Sequence, residues 1–374
     1  MQKILVLGAY GFFGSRICAA LARNRRVQLI LAGRDLLKAT AAAYQVGLTA
    51  DHARAVDATN PQLALQLRKL GVTTLINTAG PFQEQGYDVA RACIKAGANY
   101  LDLADGRAFV TGITKLDAEA RAAGVSVISG ASTVPALTSA VVDRYLAQFS
   151  RLDAIHIGLT SGSAIPGVAT LRAVFGYCGK RFRTLENGGW TDVYGWLDTQ
   201  QHEFPKIIGT RHISRCDVPD LDLLPQRYPG VKTVSFHAGF ASGTAHKIIE
   251  LLAKMVKERR LKSALSFARP LYTLGRWLQP LFSDRGGMFV TLEGLHENGA
   301  PHSVTWNLVA RENDGPNIPC AASIALANKI AAGGKLPAGA MPCMGLLTVE
   351  ELMEPLKAFS IRELAPRGAD GLDL

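Results

Sequence analysis

The chain has 374 residues, of which 48% are hydrophobic and 19% are charged. This length is ample for a large buried core and predicts two domains. The six cysteines are scattered and form no C-x-x-C pair, which excludes a zinc knuckle and a disulfide framework. We therefore predict reduced thiols and no metal site.

The formal net charge is +10, which suits attraction of an anionic ligand. No basic motif is interleaved with aromatic residues, so we predict no nucleic-acid partner. Met1 leads directly into the first predicted strand and leaves no room for a signal peptide, so a cytoplasmic location is expected.

The first predicted elements, over residues 3–38, carry the most informative motif. A short apolar run predicts a buried strand at 3–7, a helix follows near 14–24, and a second strand is predicted at 27–33. Three glycines spaced G-x-x-G-x-x-G join the first strand to the helix. They permit a sharp turn and close approach of a pyrophosphate to the helix N-terminus. The pattern predicts a dinucleotide site, with a sharp turn lacking any ligand as the alternative. Its predicted residues are Gly8, Ala9, Tyr10, Gly11, Phe12, Phe13 and Gly14.

The tip of the second strand indicates which dinucleotide is bound. An acidic residue there favours NAD, but this chain has Gly33 and Arg34, with Lys38 one helical turn further. Two cations suit a ribose 2′-phosphate, so we predict NADP in preference to NAD. Asp35 is interpreted as the cap of the next helix.

Strand and helix signals continue to alternate as far as residue 130. Further strands are predicted at 53–56, 73–77, 99–103 and 125–129, with helices near 35–46, 60–70, 86–97, 112–123 and 135–149. This alternation predicts an α/β fold, a doubly wound parallel sheet of the Rossmann type. We assign it to residues 1–150.

Two loops after these strands are predicted to contact the cofactor. Asp57 and Ala58 follow the third strand, where Asp57 can meet the adenine edge or cap the next helix. The loop after the fourth strand should lie where ligands bind, beyond the carboxyl ends of the strands. Phe82 in this loop either lies against the nicotinamide or packs in the core. The predicted contacts are Thr78, Ala79, Gly80, Pro81 and Phe82.

Hydride transfer to a carbonyl, imine or enoyl group also requires a proton donor or a partner for the developing charge. Tyr100, Asp102 and Asp105 come at the end of the fifth strand, and period-2 alternation puts Tyr100 and Asp102 on one face. Asp105 can instead cap a helix. His237 and His246 are further candidates, although a lone histidine in an apolar run is more often a core residue.

Near residue 150 the pattern changes to longer strands, predicted at 152–160, 182–194, 206–214, 231–238, 287–297 and 302–311. Residues 297–300 predict a hairpin turn between the last two. We predict a second α+β domain over 151–316 with a mostly antiparallel sheet, serving substrate binding and homodimer formation. Residues 317–374 are predicted to return to the first domain as helices.

Residues 243–283 are predicted to be helical and contain a dense cationic cluster at 254–262. No uncharged apolar run reaches the ~18–20 residues that span a bilayer. The segment is therefore interpreted as a pocket wall, a dimer contact or a helix on a membrane surface.

Taken together, these motifs resemble those of the saccharopine dehydrogenase-like oxidoreductases, and most of all an uncharacterised bacterial branch. The N-terminal similarity lies in GAYGFFG (8–14), AGRD (32–35), NTAGPF (77–82) and YLDLAD (100–105). The C-terminal similarity lies in residues 216–220, 227–230, 236–239, 315–319 and 342–348. The resemblance implies a Rossmann domain, a second α+β domain mediating dimers, and a nicotinamide cofactor.

The main functional prediction is an NADP-dependent oxidoreductase that transfers a hydride to or from a carbonyl, imine or enoyl group of a small molecule. One alternative is a sensor or scaffold that binds NADP without turnover. Another is a membrane-surface lipid reductase acting through residues 243–283.

Overall fold

The structure is a computed structural model that describes residues 1–83, 85–163, 167–279 and 282–368. Its strands are β1 (Gln2–Leu7), β2 (Val27–Gly33), β3 (Ala53–Ala55), β4 (Thr74–Asn77), β5 (Asn99–Asp102), β6 (Ser126–Ser129), β7 (Arg151–Thr160), β8 (Arg181–Glu186), β9 (Gly189–Tyr194), β10 (Gln200–Glu203), β11 (Thr210–Arg215), β12 (Thr233–Gly239), β13 (Gly286–Leu295), β14 (Pro301–Ala310), β15 (Gly339–Pro342) and β16 (Ile361–Gly368).

The α-helices of the same residues are α1 (Gly14–Leu21), α2 (Leu36–Gln45), α3 (Leu63–Leu70), α4 (Asp88–Ala96), α5 (Arg107–Gly112), α6 (Asp117–Ala122), α7 (Thr138–Tyr145), α8 (Val168–Tyr177), α9 (Asp220–Arg227), α10 (Gly243–Lys257), α11 (Ala268–Leu278), α12 (Ala321–Ala331) and α13 (Val349–Met353). Short 3₁₀ turns extend several of them.

The chain divides into two compact units whose bounds differ from the predicted domains. The first contains residues 1–137 and 317–356, and the second contains residues 138–316 and 357–374. The first boundary therefore lies before α7 rather than at residue 150. Residues 317–356, part of the segment predicted as C-terminal helices, belong to the first unit, whereas β16 is a strand that pairs with β14 in the second unit.

The first unit is built on the parallel sheet predicted from the sequence. Its strand order is β3-β2-β1-β4-β5-β6-β15, and every pairing is parallel. Residues 4–7 of β1 are almost fully buried, as expected for a strand covered on both faces. The strand order reverses between β1 and β4, and in such sheets ligands bind beyond the carboxyl ends of the strands at this point.

The sheet also contains a seventh strand, β15, that sequence analysis missed. It pairs with β6 at the edge of the sheet. Its four residues, Gly-Ala-Met-Pro, include no β-branched or aromatic side chain, so they carry no strand signal. Its last residue is proline, which an edge strand tolerates.

The second unit contains a mixed, mostly antiparallel sheet, which confirms the predicted fold class. The strand order is β10-β11-β12-β7-β13-β14-β16, with only β7 and β12 running parallel along this path. The predicted hairpin turn joins β13 to β14. In the same sheet, Trp306 of β14 is fully buried and donates a 2.7 Å hydrogen bond to Glu363 of β16. That the unit forms a homodimer stays a prediction.

One predicted strand of the second unit was wrong in detail. The segment 182–194, predicted as one strand, is the hairpin β8–β9, with Asn187 and Gly188 both at positive φ. An Asn-Gly pair is the usual sequence signal for such a turn, and the prediction of one continuous strand overlooked it. The segment 243–283, predicted to be helical, contains the two helices α10 and α11, and its residues 280 and 281 lie outside the described residues.

Candidate functional site

The loop after β1 has the geometry of a tight strand-to-helix turn. Gly8 has φ of +86°, and a Cβ there would lie 2.7 Å from Thr78 Oγ1, so only glycine fits. A Cβ at Gly14 would overlap the Gly8 carbonyl oxygen, because α1 packs directly onto the loop. A Cβ at Gly11 would meet only that oxygen, at 3.0 Å, among the described residues. The outer side of Gly11 is therefore open to a ligand.

The start of α1 offers hydrogen-bond donors to such a ligand. The backbone N–H groups of Phe12 and Phe13 form no hydrogen bond within the described residues. The Arg16 guanidinium lies 4.3 Å from the centroid of the Phe12 ring and donates to the Phe12 carbonyl oxygen. Ala9 is fully buried beside this loop. Free N–H groups, the positive end of the helix dipole and a nearby cation together suit a pyrophosphate.

The tip of β2 is covered by a side chain of the glycine loop. The Tyr10 ring lies where a Cβ at Gly33 would be, and the Asp35 N–H donates to the Tyr10 hydroxyl at 3.2 Å. Tyr10 is 36% exposed. Sequence analysis placed Tyr10 and Gly33 in the cofactor site but missed their contact, because the two residues are 23 positions apart in the chain.

The two cations predicted at this tip have different surroundings. Lys38 lies 3.3 Å from Asp35 Oδ2, and Asp35 accepts from the Lys38 N–H at 3.1 Å as the cap of α2. Arg34 is exposed and forms no hydrogen bond or ion pair with any of the described residues. Arg34 is therefore the group free to bind an anion.

Asp57 forms a local turn beyond β3. Its Oδ1 accepts from the Thr59 N–H at 2.9 Å and from the Thr59 hydroxyl at 2.8 Å. These bonds, and more weakly the Arg34 charge, hold the pKa of Asp57 below its usual value. Asp57 is thus not the helix cap weighed from the sequence, and α3 begins only at Leu63. Ala58 packs against the core of the first unit.

The loop after β4 is held rigidly by side chains. Thr78 Oγ1 donates to the Leu7 carbonyl oxygen at 2.8 Å, which ties β4 to β1 where the strand order reverses. The Asn77 carboxamide oxygen accepts from the Ala79 N–H at 3.0 Å. Gln85 donates to the carbonyl oxygens of Ala79 and Pro81 at 2.9 and 2.7 Å. The loop is thus preorganised before any ligand binds.

Phe82 packs in the interior of the first unit. It is 6% exposed, and its ring centroid lies 5.3 Å from that of Phe109. A Cβ at Gly80 would lie 3.4 Å from the Phe82 ring. This placement favours the packing interpretation of Phe82 over contact with a nicotinamide.

Asp102 is a fully buried carboxyl group that joins the ends of β5 and β6. Its Oδ1 accepts three hydrogen bonds, from the Ala104 N–H at 3.0 Å, the Ser129 hydroxyl at 2.9 Å and the Gly130 N–H at 2.8 Å. Its Oδ2 has no hydrogen-bond partner among the described residues. Burial raises the pKa of Asp102 to about 6, although these hydrogen bonds oppose the shift. The arrangement positions the loop after β6.

The raised pKa predicts how Asp102 changes stability with pH. The folded chain keeps the Asp102 proton up to about pH 6, whereas the unfolded chain loses it near pH 4. The contribution of Asp102 to the free energy of unfolding is therefore full below about pH 4 and falls by about 3 kcal/mol as pH rises through 6. Asp102→Asn keeps an oxygen for the three donors but cannot ionise. Urea denaturation between pH 4 and 7 should show wild type losing about 3 kcal/mol relative to the variant. A difference independent of pH would contradict the shift.

Tyr100 and Asp105 differ sharply in the exposure of their side chains to solvent. Tyr100 is 1% exposed, its hydroxyl accepts from the Asn77 amide at 3.2 Å, and burial raises its pKa well above the usual value. Asp105 is half-buried, and its Oδ1 accepts from the Gln83 amide at 2.9 Å. Burial raises the pKa of Asp105 as well. Of the five candidate donors named from the sequence, Asp105 alone keeps partial exposure.

The two histidines lie in the second unit and are buried. His237, on β12, has its pKa lowered to about 4, chiefly by burial and then by the Arg215 charge. His246, on α10, shares a 2.8 Å hydrogen bond between its Nε2 and Ser214 Oγ, and burial lowers its pKa to about 4. Both imidazoles are neutral near pH 7. Their catalytic role stays a prediction.

No group of three or more His, Cys, Asp or Glu side chains able to hold a metal ion lies within the described residues. Within the same part of the chain, no helix is both long and apolar enough to cross a membrane.

Comparison with solved structures shows the fold. Apo histidine-tagged saccharopine dehydrogenase (L-Glu forming) from Saccharomyces cerevisiae has a TM-score of 0.67 at 14% identity, covering 98% of this chain and 100% of that chain. An amine dehydrogenase from Mycobacterium smegmatis has a TM-score of 0.48 at 13% identity, covering 94% and 95%. A meso-dapdh mutant with DAP, from Clostridium tetani E88, has a TM-score of 0.47 at 16% identity, covering 94% and 96%.

Comparison with curated protein sequences gave no match. Residues 4–128 match the family described as the saccharopine dehydrogenase NADP binding domain. These residues include the glycine loop, Arg34 and the loop after β4, which the sequence predicts to contact the dinucleotide. Residues 4–128 of the chain, the core of its N-terminal domain, therefore belong to the saccharopine dehydrogenase NADP-binding family.

Proposed function

We propose that this chain binds NADP in preference to NAD and transfers a hydride to or from a carbonyl, imine or enoyl group of a small molecule. The observation that carries the preference is the Arg34 guanidinium, exposed and without an ion pair among the described residues at the tip of β2. Lys38, its cationic neighbour, is already paired with Asp35. A ribose 2′-phosphate is dianionic near neutral pH and matches the planar fork of an arginine.

The residues of the first unit fit this cofactor in three ways. Gly11 leaves the loop open, and the N–H groups of Phe12 and Phe13 are free to bind the pyrophosphate. The rigid loop after β4 orients the other half of the cofactor at the point where the strand order reverses. When bound, NADPH supplies the hydride, and the chain supplies binding and orientation.

Asp105 is the residue we propose as proton donor. It is the one predicted donor that keeps partial exposure at the end of β5, and its raised pKa increases the fraction that carries a proton. Its hydrogen bond to Gln83 fixes the carboxyl group. In reduction of a carbonyl or imine, the Asp105 proton would go to the oxygen or nitrogen as the hydride reaches carbon.

The first experiment is titration of the purified protein with NADPH and with NADH, followed by nicotinamide fluorescence and by thermal stability. The proposal expects NADPH to bind at least about tenfold more tightly, since a phosphate–arginine pair contributes about 1.5–3 kcal/mol. Equal affinity, tighter NADH binding or no binding of either nucleotide would overturn it.

A screen of carbonyl, imine and enoyl compounds with the NADPH complex tests the proposed donor. Asp105→Asn should lower kcat at least about a hundredfold on a carbonyl or imine substrate, with NADPH affinity unchanged. Gln83→Ala is the matched control for loss of the hydrogen bond alone and should change kcat by less than about tenfold. Full turnover by Asp105→Asn would remove Asp105 from the mechanism.

A further inference from the structure

The helix α11 in the second unit exposes an unusually apolar surface. Trp277 is 83% exposed and Leu274 is 51% exposed, and Leu278 and the preceding Phe267 are more than one-third exposed. These four positions fall on one side of the helix at 3.6 residues per turn. Only Ala268 of α11 is buried in its own unit. The helix therefore presents its bulkiest side chains to solvent.

The helix α10 shows the same pattern. Ile248 is 38% exposed and Leu251 is 59% exposed, and half-buried Met255 continues the stripe at i+4 from Leu251. Lys247 and Lys254, both exposed, flank this stripe. The opposite side of α10 is buried in the second unit. It consists of His246, Ile249, Leu252 and Ala253.

The segment that contains both helices, residues 243–279, is strongly basic. It holds eight Lys and Arg residues against two Glu residues, which gives a net charge of +6 out of +10 for the whole chain. The cations are Lys247, Lys254, Lys257, Arg259, Arg260, Lys262, Arg269 and Arg276. On α11, Arg269 and Arg276 are also exposed, about 140–160° around the helix axis from the centre of the apolar stripe, whereas Lys247 and Lys254 border the stripe of α10. Apolar stripes bordered by cations characterise helices that lie in a membrane interface.

We propose that residues 243–279 dock the protein onto an anionic lipid surface, with α10 and α11 lying in the plane of the interface. The apolar stripes would enter the boundary between headgroups and acyl chains, and the Lys and Arg side chains would bind lipid phosphates. α11, with 11 residues, is about 16 Å long and so can lie on a bilayer without spanning it.

The charge of the segment decides between a lipid surface and a second copy of the chain. Self-association through this face would bring together two segments that each have a net charge of +6. Neither segment would compensate the positive charge of the other. An anionic membrane instead complements every cation of the segment. An anionic lipid surface therefore matches both the apolar stripes and the positive charge of the segment.

The test is flotation of the full chain with vesicles of phosphatidylcholine alone and of phosphatidylcholine with 30% phosphatidylglycerol, at low and high salt. We expect binding only to the anionic vesicles, weakened at high salt by screening. The double variant Leu274→Ser/Trp277→Ser should bind them at least about tenfold more weakly. The double variant Arg269→Gln/Arg276→Gln should bind more weakly at low salt and show a smaller salt dependence.

The matched control is Leu65→Ser on α3, where the leucine is 48% exposed in the first unit. This variant should bind vesicles like wild type, and all variants should unfold at the same temperature as wild type within about 2 °C, because the replaced side chains are exposed. Trp277 fluorescence should shift to shorter wavelength on anionic vesicles. Absence of binding to them, or equal binding by wild type and Leu274→Ser/Trp277→Ser, would overturn the proposal. A wild-type dimer that this variant converts to monomer would identify the stripe as a protein interface and also overturn it.

Discussion

Replacing Gly11 with Ala should weaken NADPH binding by about 10- to 100-fold while the fold stays intact, whereas Gly14→Ala should destabilise the fold itself. A Cβ at Gly11 meets only the Gly8 carbonyl oxygen at 3.0 Å, so the loop can adjust by a few tenths of an ångström. The new methyl group would instead occupy the side of the loop that faces the pyrophosphate. A Cβ at Gly14 overlaps the same oxygen, which belongs to rigid backbone, so α1 must move away from the loop.

The measurements are NADPH titration by fluorescence and urea denaturation without nucleotide, applied to both variants. Gly14→Ala should lose about 3 kcal/mol of unfolding free energy, and Gly11→Ala less than about 1 kcal/mol. The two variants distinguish an effect on nucleotide binding from an effect on packing, because each adds the same methyl group to the same loop. If Gly11→Ala bound NADPH like wild type, the pyrophosphate would not lie against Gly11, and the loop would be a turn without a ligand.

Much of the fold of the first unit could be predicted from local sequence signals. The glycine spacing, the apolar run of β1 and the cationic tip of β2 each report on a few neighbouring residues, and the structure brings them together at one end of the sheet. Asp35 caps α2 as its position before the helix indicates. Residues 4–128, which match the family, contain all of these local features.

The features that sequence analysis missed depend on contacts between distant residues. Whether Asp102 faces a ligand or the interior is decided by Ser129 and Gly130 on the next strand, 27 and 28 residues further on. The Tyr10 ring covers Gly33 because two loops meet above the sheet. The edge strand β15 joins the sheet from residue 339 onward, where no local strand propensity predicts it. Strand ends are thus predictable from periodicity, but burial at those ends is not.

The second large effect is expected from Arg34→Ala, which should weaken NADPH binding by about 10- to 100-fold and leave NADH binding nearly unchanged. Arg34 is exposed and has no ion pair among the described residues, so its removal leaves no buried charge and should not lower stability. Its binding partner would be the 2′-phosphate, which NADH lacks. Lys38→Ala is the matched control: the Lys38 ammonium lies 3.3 Å from Asp35, and we expect a loss of NADPH affinity under about fivefold.

The salt dependence of binding distinguishes a phosphate contact from a general change in the loop. A direct contact between Arg34 and the phosphate makes NADPH affinity of the wild type fall more steeply with ionic strength than that of Arg34→Ala. Isothermal titration at two salt concentrations measures both slopes. Equal losses of NADPH and NADH affinity in Arg34→Ala would place Arg34 at the adenine or ribose instead and would contradict its role in binding the 2′-phosphate.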